Sequence, residues 1–187
     1  MYWIGVIMSK DIKKRCIMIF PKFENIEIIN EIREKYDPVV TNVKPHITLV
    51  FPFESTIEKE ELRNWLNQTL SNVKCFEVEL EGVIKISNDS KLYLCLEVKK
   101  GKEEIRIISN KLYGEILESY KPEWLNQVEF IPHMTIGKFE NHEELNSAYK
   151  EIGDMKEKFY SKVDKVSVEI VVENGVSIRE IEVNLQK

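Results

Sequence analysis

Two copies of one five-residue pattern constrain this chain more than any other feature of its sequence. Residues 44–51 read KPHITLVF and residues 131–138 read IPHMTIGK, so both contain Pro-His-apolar-Thr-apolar. The chain has 187 residues and three histidines, and two of the three would match this pattern by chance roughly a few times in a million at ordinary residue usage. His133 follows His46 by 87 residues, whereas solenoid repeats span about 20 to 50 residues. The spacing therefore indicates a duplicated half-domain.

The elements predicted around each copy follow one order: helix, motif strand, helix and two further strands. In the first copy we predict a helix at 24–36, a strand at 45–51, a helix capped by Ser55 with Glu58 as reciprocal partner, and strands near 74–86 and 91–98. In the second copy we predict a helix near 103–120, a strand at 130–138, a helix capped by Asn141, and strands at about 160–172 and 176–185. Asn174-Gly175 predicts a tight hairpin between the last two strands. Two strands, near 2–8 and 14–20, precede the first copy.

This order predicts an α+β fold of two pseudo-symmetric lobes. Each lobe is expected to have an antiparallel-rich sheet with helices on one face, and an active-site cleft is expected between the lobes. The length suffices for one core and is short for two independent ones. We therefore expect a single domain over residues 1–187, with a first repeat at about 12–98 and a second at about 99–187. The two motif strands would then lie side by side or face to face, and both histidines would meet in one groove.

Composition limits the function classes that the chain can serve. No apolar run approaches the roughly 20 residues that span a bilayer, and the apolar start MYWIGVIM is interpreted as a strand. The chain has three cysteines, Cys16, Cys75 and Cys95. Their odd number and wide spacing indicate reduced thiols in a cytoplasmic protein. The net charge of −5 disfavours a broad grip on duplex nucleic acid but permits a small nucleotide or an RNA end. No heptad pattern indicates an obligate protein partner, so we expect a monomer that does not associate with membranes.

The motif itself places four reactive side chains on one surface. Residues i and i+2 of a strand share a face, so His46 points with Thr48 and His133 points with Thr135. Two imidazoles with ordinary pKa values of about 6.5 can serve as base and acid in one turnover. Two hydroxyls beside them can donate hydrogen bonds to phosphate oxygens. Without a carboxylate this set holds hard cations poorly, so it predicts phosphodiester chemistry that needs no metal and no cofactor.

The motifs PHITL and PHMTI resemble the paired His-x-Thr-x motifs of the two-histidine (2H) phosphoesterase superfamily, which includes RNA 2′,5′-ligase-like proteins and cyclic nucleotide phosphodiesterases. The resemblance covers about residues 12–185. It implies a bilobal fold with one tetrad in a central cleft, here His46, Thr48, His133 and Thr135. It also implies metal-independent cleavage of 2′,3′-cyclic phosphates or 2′,5′-linked nucleotides at RNA ends. One histidine would deprotonate water and the other would protonate the departing ribose oxygen, with the assignment left open.

Five residues after each histidine the copies differ, with Phe51 in the first and Lys138 in the second. Relatives in the same superfamily place an aromatic and a basic residue here, which implies base stacking and a cation that faces phosphate. Simple strand alternation places position i+5 on the opposite face, and Gly137 could mark a bulge that turns Lys138 back. The alternatives, Phe51 in the core and Lys138 on the solvated surface, remain open. Lys44 shares the alternation of His46, and His142 is interpreted as an exposed residue at a helix start.

Two other functions compete with catalysis by the tetrad. The same four residues could clamp 2′-phosphorylated or cyclic-phosphate ends of nucleotides or RNA without turnover. Thioester or acyl chemistry at Cys75 or Cys95 is a third reading, although both cysteines lie in predicted strands and neither has a histidine close in sequence.

Overall fold

The computed structural model describes residues 11–88 and 91–187, and the strand predicted near 2–8 lies outside them. The described residues form eight strands and four α-helices. The strands are β1 (Lys13–Ile19), β2 (Ile47–Ser55), β3 (Phe76–Asn88), β4 (Lys91–Lys100), β5 (His133–Phe139), β6 (Lys158–Val163), β7 (Lys165–Val171) and β8 (Ser177–Asn184). The helices are α1 (Ile26–Tyr36), α2 (Lys59–Thr69), α3 (Lys102–Leu112) and α4 (His142–Ile152). Two 3-10 helices, Glu115–Tyr120 and Glu123–Asn126, follow α3.

All eight strands belong to one sheet in the order β6-β3-β4-β5-β2-β1-β7-β8. Every neighbouring pair is antiparallel. The two motif strands, β2 and β5, are neighbours at the centre of the sheet, and Ile47 of β2 pairs with Met134 of β5. We call β2, β1, β7 and β8 lobe 1 and β5, β4, β3 and β6 lobe 2. The predicted α+β fold of two antiparallel lobes is confirmed, and the motif strands lie side by side.

The lobes do not follow the order of the sequence. The β3–β4 hairpin comes after β2 in the chain but pairs with β5 in lobe 2. The β7–β8 hairpin comes after β5 but pairs through β1 with β2 in lobe 1. Each motif strand is therefore completed by a hairpin from the other part of the chain.

The core lies between the sheet and the four helices. Alternate residues of the hairpin strands are fully buried, as Val78 and Leu80 in β3 and Leu94 and Leu96 in β4 show. Each helix has 11 residues and turns an apolar stripe to the sheet. Among the described residues, these helices are all too short to cross a bilayer.

Three local predictions are wrong. Ser55 does not cap α2, because it is the last residue of β2 and its hydroxyl accepts a hydrogen bond from Arg15 Nη1 at 3.2 Å. The helix predicted to continue to about 120 ends at Leu112, and the chain becomes a 3-10 helix after Gly114. The strand predicted at 160–172 is divided at Asp164 into β6 and β7, which lie in different lobes.

Two other local predictions are confirmed. Asn141 caps α4, since its Oδ1 accepts a hydrogen bond from the Glu144 amide at 2.9 Å. Gly175 has a φ of 78° in the turn between β7 and β8, which a residue with a side chain rarely adopts.

Candidate active site

The register between the motif strands places the four predicted site residues in a crossed square. Ile47 lies opposite Met134, so His46 falls opposite Thr135 and Thr48 falls opposite His133. Directly opposed residues of an antiparallel pair project to the same face of the sheet. Ile47 and Met134 are fully buried on the helix side, whereas the four site residues are half-buried on the other side. We call this second side the site face; on it the histidines occupy diagonal corners.

Both imidazoles are held in the same way. His46 Nδ1 lies 2.8 Å from the carbonyl oxygen of Lys44, and His133 Nδ1 lies 2.7 Å from that of Ile131. Since a carbonyl oxygen only accepts, each Nδ1 carries a proton, and Nε2 of the neutral ring is the basic nitrogen. A proline separates each histidine from its carbonyl partner and restricts that partner to extended backbone. The repeated proline therefore helps to fix the tautomer and orientation of each ring.

The surroundings favour the neutral form of both rings. Burial is the largest cause that lowers the pKa of His46 and of His133 from the ordinary value of 6.5. The hydrogen bonds to the carbonyls act in the opposite direction. His133 also lowers the pKa of His46 through charge repulsion, so the two rings interact electrostatically. Both histidines are therefore mainly neutral in the unliganded protein at neutral pH.

A buried ion pair supports the segment that leads into the first motif. Arg33 Nε donates to Asp37 Oδ2 at 2.9 Å, and Arg33 Nη2 donates to the carbonyl of Val43 at 2.8 Å. Asp37 Oδ1 accepts from the amide of Val39 at 3.1 Å. This pair influences His46 as well, since Arg33 lowers its pKa and Asp37 raises it. Sequence reasoning missed the pair, although its i,i+4 spacing at the end of a helix was visible.

A β-bulge in β2 brings Phe51 to the site face. Thr48 pairs with Met18, but Val50 pairs with Ile17, so β2 contains an extra residue between them. Leu49 and Val50 are consequently buried in succession, and Phe51 resumes the alternation on the side of Thr48. Side chains satisfy the backbone groups at the bulge. Ser109 Oγ donates to the carbonyl of Leu49 at 2.7 Å, and Cys16 Sγ donates to that of Val50 at 3.1 Å. The amide of Phe51 donates to Tyr113 Oη at 2.8 Å.

The second motif has a bulge at the equivalent position. Thr135 pairs with Cys95 and Gly137 pairs with Leu94, so β5 also carries one extra residue. Ile136 and Gly137 are both buried, and Lys138 returns to the site face, exposed. The bulge suggested by Gly137 is thus confirmed. Strand alternation alone would place Phe51 and Lys138 on the face opposite the histidines, and the extra residue in each strand reverses that placement. Lys138 lies opposite Tyr93 and has no ion-pair partner within the part of the chain that the structure describes.

Phe51 belongs to a group of three half-buried aromatic residues. Its ring centroid is 4.9 Å from that of Trp124 and 6.1 Å from that of Phe130, with edge-to-face geometry in both pairs. Trp124 lies in the second 3-10 helix, and Phe130 lies three residues before His133. We call these residues the aromatic group. Only Phe51 was predicted from the sequence, because Trp124 and Phe130 lie in a segment without strand or helix periodicity.

The remaining polar candidates have clear positions. Lys44 is exposed and takes part through its carbonyl, which binds His46. His142 is the exposed first residue of α4, as predicted. No group of three His, Cys, Asp or Glu residues suited to a metal ion occurs among residues 11–88 and 91–187.

Buried thiols lie under both threonines. Cys95 Sγ is 3.9 Å from Thr135 Oγ1, and Thr48 is close enough to Cys16 to act on the pKa of its thiol, which it lowers. Burial raises the pKa of each thiol to about 12, with Glu169 adding to the effect at Cys16. Very little thiolate therefore exists at neutral pH, which disfavours Cys95 as a nucleophile. Cys75 is half-buried, and its Sγ lies 3.9 Å from the carbonyl of Leu185.

Comparison with known proteins agrees with this architecture. Residues 21–174 match the sequence model of the 2′-5′ RNA ligase superfamily. A Bacillus pumilus protein named "Putative phosphoesterase" is 27% identical over 161 residues, which cover 85% of this chain and 90% of that protein. A Geobacillus kaustophilus protein with a similar name is 26% identical over 163 residues, covering 85% of this chain and 88% of that protein.

Solved structures share the fold at low sequence identity. Escherichia coli LigT complexed with 3′-AMP is 14% identical, with a TM-score of 0.66 over 95% of this chain and 100% of that one. TT0787 of Thermus thermophilus is 15% identical, with a TM-score of 0.59 over 92% of this chain and 98% of that one. At identities this low, the structural likeness establishes a common fold and nothing further.

Proposed function

Because the chain belongs to the 2′-5′ RNA ligase superfamily, and its relatives support an enzyme of the phosphoesterase type, we propose that it cleaves phosphodiesters of the ribose 2′ oxygen. The substrates in this proposal are 2′,3′-cyclic phosphates or 2′,5′-linked nucleotides, free or at RNA ends. The observation that supports it most directly is the crossed square, in which two histidines and two threonines lie on one face of the paired motif strands.

The chemistry requires one neutral and one protonated imidazole. Nε2 of the first histidine takes a proton from water, whose oxygen forms a bond to phosphorus. The bond between phosphorus and the departing ribose oxygen breaks, and the second histidine donates its Nε2 proton to that oxygen. The hydroxyls of Thr48 and Thr135 donate hydrogen bonds to the non-bridging oxygens, where charge accumulates in the transition state. Because burial keeps both rings neutral in the free protein, the second one gains its proton when the phosphate anion binds.

The flanks of the square suit a nucleotide. The aromatic group offers a stacking surface for a base at the end where Thr48 and His133 meet. Lys138, which is exposed and follows the second bulge, supplies a cation for the phosphate. The fold neighbour LigT has been seen with 3′-AMP and with ATP, which supports a nucleotide as the ligand class.

The direct test is turnover of adenosine 2′,3′-cyclic phosphate and of a 2′,5′-linked diadenosine with excess EDTA, followed by ³¹P NMR. We expect His46→Ala and His133→Ala each to lower kcat by about 10²- to 10⁴-fold, the usual contribution of a general acid or base. His142→Ala, which removes the exposed third histidine, is the matched control and should retain full activity.

Two results would overturn the proposal. Undiminished turnover in either histidine variant would remove the tetrad from the mechanism. Tight binding by the wild-type protein without turnover of any substrate would instead indicate a binder of phosphorylated ends. The position of the phosphate in the product identifies the oxygen that leaves.

A further inference from the structure

A cavity of about 250 Å³ lies near His46, between the segment that follows β1, the β6–β7 junction and β8. Phe20 forms its border with the tetrad, since the Phe20 and His46 ring centroids are 6.0 Å apart. Ser167, which lines the cavity, lies opposite Met18, and Met18 lies opposite Thr48. The Phe20 ring therefore separates the cavity from His46, and the cavity lies beside the square of site residues.

The lining of this cavity is positive in a protein that is negative overall. It contains four cations and two carboxylates, namely Lys22, Lys162, Lys165, Arg179, Asp164 and Glu182. Glu182 is already engaged, because Lys165 lies 2.7 Å and Arg179 lies 2.9 Å from its oxygens. Within the described residues, the ammonium groups of Lys22 and Lys162 have no carboxylate oxygen within 4.0 Å. A net charge of −5 for the whole chain makes this local excess of cations stand out.

Arg179 is fixed in place before any ligand arrives. Its guanidinium carbon lies 5.2 Å from the centroid of the Phe20 ring, and Nε donates to Glu169 at 3.2 Å. Glu169 is itself 4% exposed and accepts from Ser177 Oγ at 2.8 Å, so a buried carboxylate anchors the arginine. Nη2 of Arg179 has no hydrogen-bond partner among the residues that the structure describes. An oriented guanidinium with a free edge is well suited to bind a phosphate oxygen.

We propose that this cavity binds a second phosphate of the substrate, in addition to the diester that is cleaved at the tetrad. The inference rests on the proposed function and narrows its substrate class to nucleotides with at least one further phosphate. The base would lie against the aromatic group, the scissile phosphorus between the histidines, and the second phosphate beyond His46. A 5′-phosphate of a mononucleotide and an internucleotide phosphate of an RNA end have the same chemistry for this site.

Steady-state kinetics with three substrates test the inference. They are adenosine 2′,3′-cyclic phosphate, the same compound with a 5′-phosphate, and an ApA dinucleotide with a 2′,3′-cyclic end. We expect the wild type to show kcat/KM at least about tenfold higher for a phosphorylated substrate, which corresponds to one well-formed charged contact. The double variant Lys22→Gln/Lys162→Gln, which retains Arg179, should lower the ratio between phosphorylated and unphosphorylated substrates severalfold. Preference for the mononucleotide or for the dinucleotide identifies the source of the second phosphate.

The matched control is Lys14→Gln/Lys156→Gln, which removes two exposed cations outside the cavity lining and should leave the ratio unchanged. A wild-type ratio of one, or a ratio in the Lys22/Lys162 variant that equals the wild-type ratio, would overturn the inference while the proposed function stands. If no substrate is turned over, calorimetric binding of adenosine 2′-monophosphate with and without a 5′-phosphate tests the cavity by itself. Equal affinities in that measurement would also overturn it.

Discussion

At the scale of single residues, the roles proposed for the two histidines predict how activity depends on pH. Burial lowers the pKa of both below 6.5, so each ring in the free enzyme loses its proton at a lower pH than an exposed imidazole. The proposed mechanism needs one ring protonated and one neutral, and kcat/KM reports the free enzyme. We therefore expect kcat/KM for a cyclic nucleotide to peak below about pH 6.5 and to fall toward pH 8. The bound phosphate anion favours imidazolium, so the kcat profile should lie at higher pH.

Pre-steady-state and steady-state rates between about pH 5 and pH 9 check this prediction. A kcat/KM value that stays level from neutral to alkaline pH would show that no protonated imidazole is needed. His142 is an exposed histidine outside the site, so the profile of His142→Ala should match that of the wild type.

At the scale of elements, the two β-bulges position the residues that follow the tetrad. A Cβ on Gly137 would lie 3.0 Å from Tyr36 Cβ and 3.0 Å from Phe139 Cε2, closer than ordinary contacts. Gly137→Ala should therefore displace α1 or the Phe139 ring and lower the free energy of unfolding by about 1–3 kcal/mol, as overpacking of a core does. Urea denaturation measures the loss, and Lys138→Ala, at the exposed neighbouring position, should leave the unfolding midpoint unchanged. An unchanged midpoint for Gly137→Ala would mean that the bulge has room for a side chain.

The elements also show what local sequence can and cannot predict. The cap of α4 was predictable because Asn141 and Glu144 interact within one turn. The cap assigned to Ser55 failed because Arg15, 40 residues away, takes its hydroxyl. The single strand predicted from 160 to 172 overlooked a change of phase at Asp164, because the buried apolar residues have odd numbers in β6 and even numbers in β7. Local patterns predict element type, whereas a partner distant in sequence decides the hydrogen bonds.

The same distinction applies to the candidate site. The tetrad was predictable because a repeated motif and strand alternation together fix four side chains on one face. The bulge after Thr48 was not, since Leu49 and Val50 resemble any buried apolar run. The cavity beside His46 depends on contacts among β1, β7 and β8, which only the folded sheet brings together.

At the scale of the whole molecule, the exchange of hairpins between the lobes binds the two sequence repeats into one folding unit. The β1–β7 and β4–β5 pairs both join residues from different halves of the chain. A fragment of residues 1–98 would contain β1 and β4 as open edges, without the strands that cover them. Its apolar core face would also lack α3 and α4. Most of the long-range pairing would thus be missing from either half alone.

We therefore predict that fragments 1–98 and 99–187 are each unfolded in isolation and fold when mixed in equal amounts. Circular dichroism and amide NMR spectra of each fragment and of the mixture measure this, and turnover by the mixture reports whether the square of site residues has formed. Assembly should be slow and should depend on concentration, because every strand pair between the two halves of the sequence then becomes an intermolecular contact. A fragment that alone gives a dispersed NMR spectrum and cooperative unfolding would show that one repeat folds without the other. In that case residues 1–187 would be two domains joined at the motif strands, and the proposal of a single domain would fail.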